Sequence, residues 1–181
     1  MLQNFESLVL IWLGIGFITF ITLLKIPAPY GKFSKTNWGP MIPSKLGWIV
    51  MEIISPLALL YFFLNGNIEK TPTNITFISL WTLHYFNRSV IYPLRQNNPA
   101  QMPLIIAVLA FLFNVMNGYI NGTYFGSIQE YSVEYISNWN FIVGMCLFIT
   151  GAYINIKSDN ILLSLRSKSG EYKIPEGFMF K

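Results

Sequence analysis

The stretch LGWIVMEIISPLALLYFFL, Leu46–Leu64, decides the fold class. Its one formal charge is Glu52, and the rest is apolar but for Ser55 and the half-polar Trp48 and Tyr61. A helix rises about 1.5 Å per residue, so a run of this length crosses a hydrocarbon layer about 30 Å thick. Lipid offers no partner to backbone N–H and C=O groups, so such a run spans as a helix. Two features disturb it. A charged side chain at mid-helix costs about 2.5–3.5 kcal/mol on insertion scales, so Glu52 should face the bundle interior or a cavity. Pro56, four residues later, leaves the Glu52 carbonyl without its helical donor and can kink the helix.

Four more apolar segments flank this one: Ser7–Leu24, Ile75 to about Leu94, Met102–Ile120, and Asn140–Ile156 with an extension to Leu165. Hydrophobic residues make up 53% of the chain and charged residues 11%, against about 25% charge in a soluble domain. The expected fold is an all-α, polytopic integral membrane helical bundle of about five spans, forming a single membrane domain over residues 1–181. The first segment has no basic region before it and no small-residue cleavage site after it, so it is expected to be retained. Basic residues alternate between connections. Lys25, Lys32, Lys35 and Lys45 follow the first span, Arg88 and Arg95 follow the third, and five bases lie between Lys157 and Lys181. The positive-inside rule puts those connections on the cytoplasmic side and the N-terminus opposite. A net charge of +4 with no basic, aromatic-laced stripe argues against a nucleic-acid partner. The single cysteine, Cys146, excludes an intrachain disulfide framework, and no cluster has metal-ligand spacing.

The remaining polar groups at membrane depth are few. In HYFNRSVIYPL, His84–Leu94, residues Tyr85, Arg88 and Tyr92 fall on one helix face. Arg88 and Tyr92 read as markers of the membrane interface. Tyr85 lies deeper, where a phenol can polarise a carbonyl. His84 reads as a hydrogen-bonded core group. Asn114, Asn117 and Asn121 make a polar stripe suited to helix–helix hydrogen bonding or to lining a cavity, with Gly118 allowing close approach. At the end of the fifth segment Asn155, Asp159 and Arg166 lie along one face, followed by Tyr172 and Lys173. Arg and Lys there suit phosphates, and a solvated helix end is the plainer reading. Neither common glycine-rich phosphate loop is present.

Taken together, PYGK at Pro29, HYFNRSVIYPL at His84, NGY at Asn117, INIKSDNILLSLR at Ile154 and YKIPEGFMF at Tyr172 resemble, in order and spacing, the steroid 5-alpha-reductase (3-oxo-5-alpha-steroid 4-dehydrogenase) family. The resemblance covers almost the whole chain. It implies a membrane enzyme that uses NADPH to reduce a carbon–carbon double bond conjugated to a 3-keto group. It further implies that Glu52 and Tyr85 are the catalytic pair at the substrate carbonyl. Tyr30, Asn155, Asp159, Arg166, Tyr172 and Lys173 are the implied cofactor contacts. Two positions depart from the family pattern: Lys157 stands where histidine is usual, and Ala100 lies where an arginine is often found. The family has seven helices, so the five segments here are expected to correspond to its N-terminal portion and to leave the cofactor pocket open.

The implied partners are a hydrophobic enone (a steroid or another lipid) and the bilayer, without metal. The expected location is the endoplasmic reticulum membrane in a eukaryote or the inner membrane in a bacterium, with the cofactor side cytoplasmic. Related alternatives are reduction of a polyprenol or a trans-2-enoyl thioester. An alternative of another class is a non-catalytic membrane homologue or a transporter, which Glu52 and the asparagine stripe would serve equally well. No inverted repeat supports the transporter.

Overall fold

The computed structural model describes residues 2–30, 33, 36–96, 100–165 and 174–180. The described residues form the α-helices α1 Leu2–Lys25, α2 Ser44–Leu64, α3 Pro72–Phe86, α4 Tyr92–Leu94, α5 Leu104–Thr123 and α6 Trp139–Leu165. Helices α1, α2 and α6, and α5 with its extension to Ile128, are each long and apolar enough to span a membrane. The third expected segment is helical from 72 to 94 but is interrupted by a π turn, Asn87–Ile91, between α3 and α4. The molecule is therefore an all-α, multi-pass membrane bundle. Among the described residues the only strands are three residues long, β1 Met41–Pro43 and β2 Gln101–Pro103, paired antiparallel with Ile42 opposite Met102.

The interruption has a cause in the sequence. Pro93 has no N–H, and its ring would clash with the Ser89 carbonyl in a regular helix. The chain widens there instead, and the Tyr92 N–H reaches back five residues to the Asn87 carbonyl. Helix α3 begins where Thr71 caps it, its hydroxyl accepting from the Asn74 N–H at 3.2 Å, with Pro72 in the first turn.

The core is the α2–α5 pair. Glycines spaced by four along the fourth span, Gly118, Gly122 and Gly126, let it lie against the backbone of Ser55, Leu59 and Phe63. Leu59, Phe63 and Ile78 close one buried cluster, while Met51, Met102 and Ala107 close another. Helix α1 contains no buried residue and meets the bundle through contacts such as Trp12 against Phe113, ring centroids 5.6 Å apart.

Connections one and three share one end of the bundle, joined by the β1–β2 pair, with the Lys45 ammonium donating to the Leu94 carbonyl at 3.5 Å. Connections two and four share the other end. There the Thr71 and Thr73 hydroxyls donate to the Tyr131 and Ser132 carbonyls at 2.7 and 2.8 Å. The Asn74 amide donates to the Phe125 and Gln129 carbonyls at 2.9 and 3.1 Å and accepts from the Tyr131 N–H at 3.1 Å. The alternation expected from charge is thus the alternation of the fold. Asn74 is fully buried, so Asn74→Ala leaves two carbonyls and an N–H without their partner. The expected loss is about 1–3 kcal/mol per orphaned group before relaxation, read as a lowered melting temperature in detergent.

In the same connection, burial, with help from Tyr124 and Tyr135, pushes the Tyr131 phenol up from its ordinary value near 10. The folded protein holds this proton more tightly than the unfolded chain. Its contribution is fully present below pH 10 and is lost as pH rises beyond. Tyr131→Phe should flatten the fall of melting temperature above pH 10, and an unchanged slope would refute the assignment.

Candidate functional site

Where α2, the α3–α4 segment, α5 and α6 converge, polar side chains gather inside an otherwise apolar bundle. Helix α2 carries Glu52 inward, on the turn preceding Pro56. The π turn carries Arg88, whose Nη2 lies 3.6 Å from Glu52 Oε1 and whose Nη1 lies 3.7 Å from Asp159 Oδ2 on α6. These separations are ion pairs longer than hydrogen bonds. The guanidinium also lies over the rings of Trp48, 4.9 Å from the centroid, and Tyr92, at 5.5 Å. The Arg88 side chain is only 20% exposed.

That corrects the reading of Arg88 and Tyr92 as interface markers. Tyr92 is buried, and Arg88 is turned into the bundle between two carboxylates. The available signal was the presence of acids in two other spans, Glu52 and Asp159, since an ionisable group within a membrane seeks an opposite charge.

Tyr85 is held one turn earlier on α3. Its hydroxyl donates to Asn114 Oδ1 at 3.4 Å, while the Asn114 amide donates to the Met51 carbonyl at 2.7 Å. Trp81 stacks on the Tyr85 ring with centroids 5.4 Å apart, and its indole N–H donates to Ser55 Oγ at 3.2 Å. The two readings of the asparagine stripe thus divide: Asn114 pins α5 to the α2 backbone and to Tyr85, while Asn121 lines a cavity. Asn121 turns back on its own helix, donating to Asn117. Among the described residues His84 meets the rings of Tyr85 and Phe148 edge-on.

Two cavities adjoin the cluster. One of about 330 Å³ lies among α3, α5 and α6, walled by Phe77, Trp81, Phe125, Phe141 and Phe148, with Asn121 and Asn140 as polar groups. Because Trp81 also stacks on Tyr85, the cavity wall and the phenol are continuous. The other, about 170 Å³, is lined by His84, Asn87, Phe148, Asn155 and Ile156.

The implied cofactor contacts divide. Asn155 lines the smaller cavity, and its Oδ1 is buried without a hydrogen-bond partner among the described residues. A buried acceptor of this kind costs free energy until a donor meets it, so Asn155 fits the amide or hydroxyl donors of a nucleotide cofactor. Asp159, one turn on, is nearly buried and directed at Arg88. Tyr30, beyond the end of α1, is half exposed. Arg166, Tyr172 and Lys173 lie outside the described residues. The position unusual for the family, Lys157, donates to the Tyr153 hydroxyl at 3.3 Å and sits over the Phe178 ring at 4.4 Å.

A family pattern described as 3-oxo-5-alpha-steroid 4-dehydrogenase matches residues 100–181. The chain is 38% identical to the Gossypium hirsutum protein named Steroid 5-alpha-reductase DET2, across 90% of this chain and 66% of that protein. It is 34% identical to the Solanum lycopersicum protein of the same name, across 97% and 70%. Its identity to 3-oxo-5-alpha-steroid 4-dehydrogenase 1 of Rattus norvegicus is 31%, across 92% and 65%. The chain thus spans about two thirds of the length of these curated relatives.

Proposed function

The chain belongs to the 3-oxo-5-alpha-steroid 4-dehydrogenase family, and on that premise we propose that it is an NADPH-dependent reductase of a carbon–carbon double bond conjugated to a ketone. Its substrate is a 3-oxo-Δ4-steroid or a similar enone lipid. The observation that carries this reading is the Tyr85 phenol, held inside the bundle against Asn114 and continuous through Trp81 with an aromatic cavity.

The cofactor, when bound, supplies a hydride to the β-carbon of the enone. The protein's part lies at the other end of the conjugated system. As the β-carbon gains the electron pair, negative charge develops on the ketone oxygen. Tyr85 donates a hydrogen bond to that oxygen, the substrate carbonyl replacing the Asn114 amide oxygen as acceptor. Glu52 in its acid form is the second donor. Trp81 fixes the plane of the Tyr85 ring, so the phenol is aimed before the charge appears. The apolar walls beside Tyr85 lower the local dielectric, which strengthens both hydrogen bonds. A proton from solvent, or one relayed through the pocket, then adds to the α-carbon and completes the saturated product. Asn155 and Asp159 would hold the cofactor from α6, with Tyr30, Arg166, Tyr172 and Lys173 as its further contacts.

Residues 1–181 are read as one membrane domain, matching the N-terminal portion of a reductase of this family. The end bearing β1, β2 and the Arg95–Asn160 contact, at 2.7 Å, is read as cytoplasmic. The location is the endoplasmic reticulum in a eukaryote or the inner membrane in a bacterium.

The test follows NADPH oxidation by the membrane-reconstituted chain with a 3-oxo-Δ4-steroid, a polyprenol, a trans-2-enoyl thioester and the saturated ketone. Oxidation with the steroid enone and none with the saturated ketone is expected. Preference for the thioester or polyprenol would replace the substrate class, and no turnover with any of them would reject the activity for this chain.

A further inference from the structure

The proposed reaction places a carbonyl beside Glu52 on α2 and a cofactor beside Asn155 and Asp159 on α6. These two helices have little else in common. The buried residues of α6 are Phe141 and Asp159. Two arginines of the third segment reach it: Arg88 meets Asp159 and Arg95 meets Asn160.

Resting on that functional reading, we propose that Arg88 is the positioning residue that fixes the carbonyl side of the site relative to the cofactor side. It does so by holding Glu52 and Asp159 on the two nitrogens of one guanidinium. The side chain is suited to this in three ways. Its planar fork presents separate N–H groups to separate carboxylates, which a lysine ammonium on a flexible stem cannot reproduce. Its faces are clamped by Trp48 and Tyr92, so its direction is set by packing. It sits on the π turn that Pro93 enforces, and such turns re-aim the side chains they carry.

The charges also close. One guanidinium balances one carboxylate, so the trio is neutral overall when it holds one proton on a carboxyl group. A low-dielectric site favours that state over an unbalanced charge. With Asp159 taking the charge, Glu52 is left with the acid proton that its proposed role requires.

The test compares Arg88→Gln, Arg88→Lys, Asp159→Asn and the Arg88→Gln/Asp159→Asn double variant in the full chain, reconstituted in bilayers. Kinetics with an enone and NADPH should show kcat falling about 10–100-fold in Arg88→Gln, in the range of displaced catalytic groups. KM for NADPH should rise, and Arg88→Lys should recover only part of either. The double variant should lose less than the two single losses combined, because both changes cut the Arg88–Asp159 link. A merely structural arginine would lower melting temperature while leaving kcat and KM of the folded fraction unchanged, and that result overturns the proposal.

A second arm needs no turnover. Spin labels at the exposed positions Leu57 on α2 and Ile149 on α6, in a Cys146→Ser background, report the distance between these helices. The distribution should broaden in Arg88→Gln. If wild type turns over no enone, the functional reading fails by itself. If the distances are then also unchanged by Arg88→Gln, the bridge fails with it.

Discussion

Tyr85→Phe is expected to lower kcat for enone reduction by about 10²–10³-fold, the usual cost of removing one donor from an oxyanion site. KM for the lipid should change little. The substitution keeps the ring that stacks on Trp81 and removes only the hydroxyl that donates to Asn114. Shape, burial and helix packing therefore persist, and what disappears is a hydrogen bond that strengthens as charge moves onto the ketone oxygen. An interaction stronger in the transition state than in the ground state appears in kcat. Asn114 keeps its bond to the Met51 carbonyl, so the α2–α5 contact is undisturbed. Steady-state NADPH oxidation measures the effect, and a variant within threefold of wild type would remove Tyr85 from the carbonyl site. Glu52→Gln should cost less than Tyr85→Phe, because the amide still offers a donor of similar size.

Gly118→Val should be strongly destabilising. Even a Cβ at this position would lie 2.6 Å from the Ala58 Cβ, 2.9 Å from the Leu59 nitrogen and 2.9 Å from the Ser55 carbonyl oxygen. Two of those three atoms are backbone, so no rotamer change relieves the clash, and α5 has to move off α2. Overpacking in cores typically costs about 1–3 kcal/mol, and here the cost should lie at or beyond the upper end. Because Ser55 also receives the Trp81 N–H, the displacement reaches the wall of the aromatic cavity and activity should fall with stability. Gly14→Val on α1 is the matched control, since nothing lies within 4 Å of its position. Tryptophan-monitored melting in detergent should separate the two. Equal melting temperatures would mean that the close crossing of α2 and α5 does not hold the bundle together.

Much of the architecture was legible because membrane spans obey few rules. Apolar length gave the segments, and unequal distribution of lysine and arginine gave the alternation of connections that the β1–β2 pair and the Thr71–Asn74 network realise. The interior was less legible. Glu52 announced itself as a charge at mid-span, and Tyr85 by its depth. Arg88 did not, because an arginine near a span end is ambiguous between reaching out to the interface and turning in. The choice was settled by a π turn that spacing rules for a regular helix do not contain. Asn114 and Gly118 could be assigned to a helix contact from their neighbours, but not to α2 as the partner. That pairing skips a span, and periodicity says nothing about which faces meet. Belonging to a family supplied the candidate chemistry; the geometry supplied the ion-pair bridge.

The pairing of α2 with α5 also constrains how the protein is made. Chains emerge N-terminus first, and α2 enters the membrane with its glycine-lined partner still unsynthesised. During that interval Glu52 sits at mid-span without Arg88, at the insertion cost of an unsatisfied polar group. Arrival of the third segment supplies the cation, and α5 then closes the seam from both ends at once. Assembly is therefore ordered by polar need before close packing, and a chain interrupted between these two events would hold Glu52 against Arg88 in an unpacked bundle.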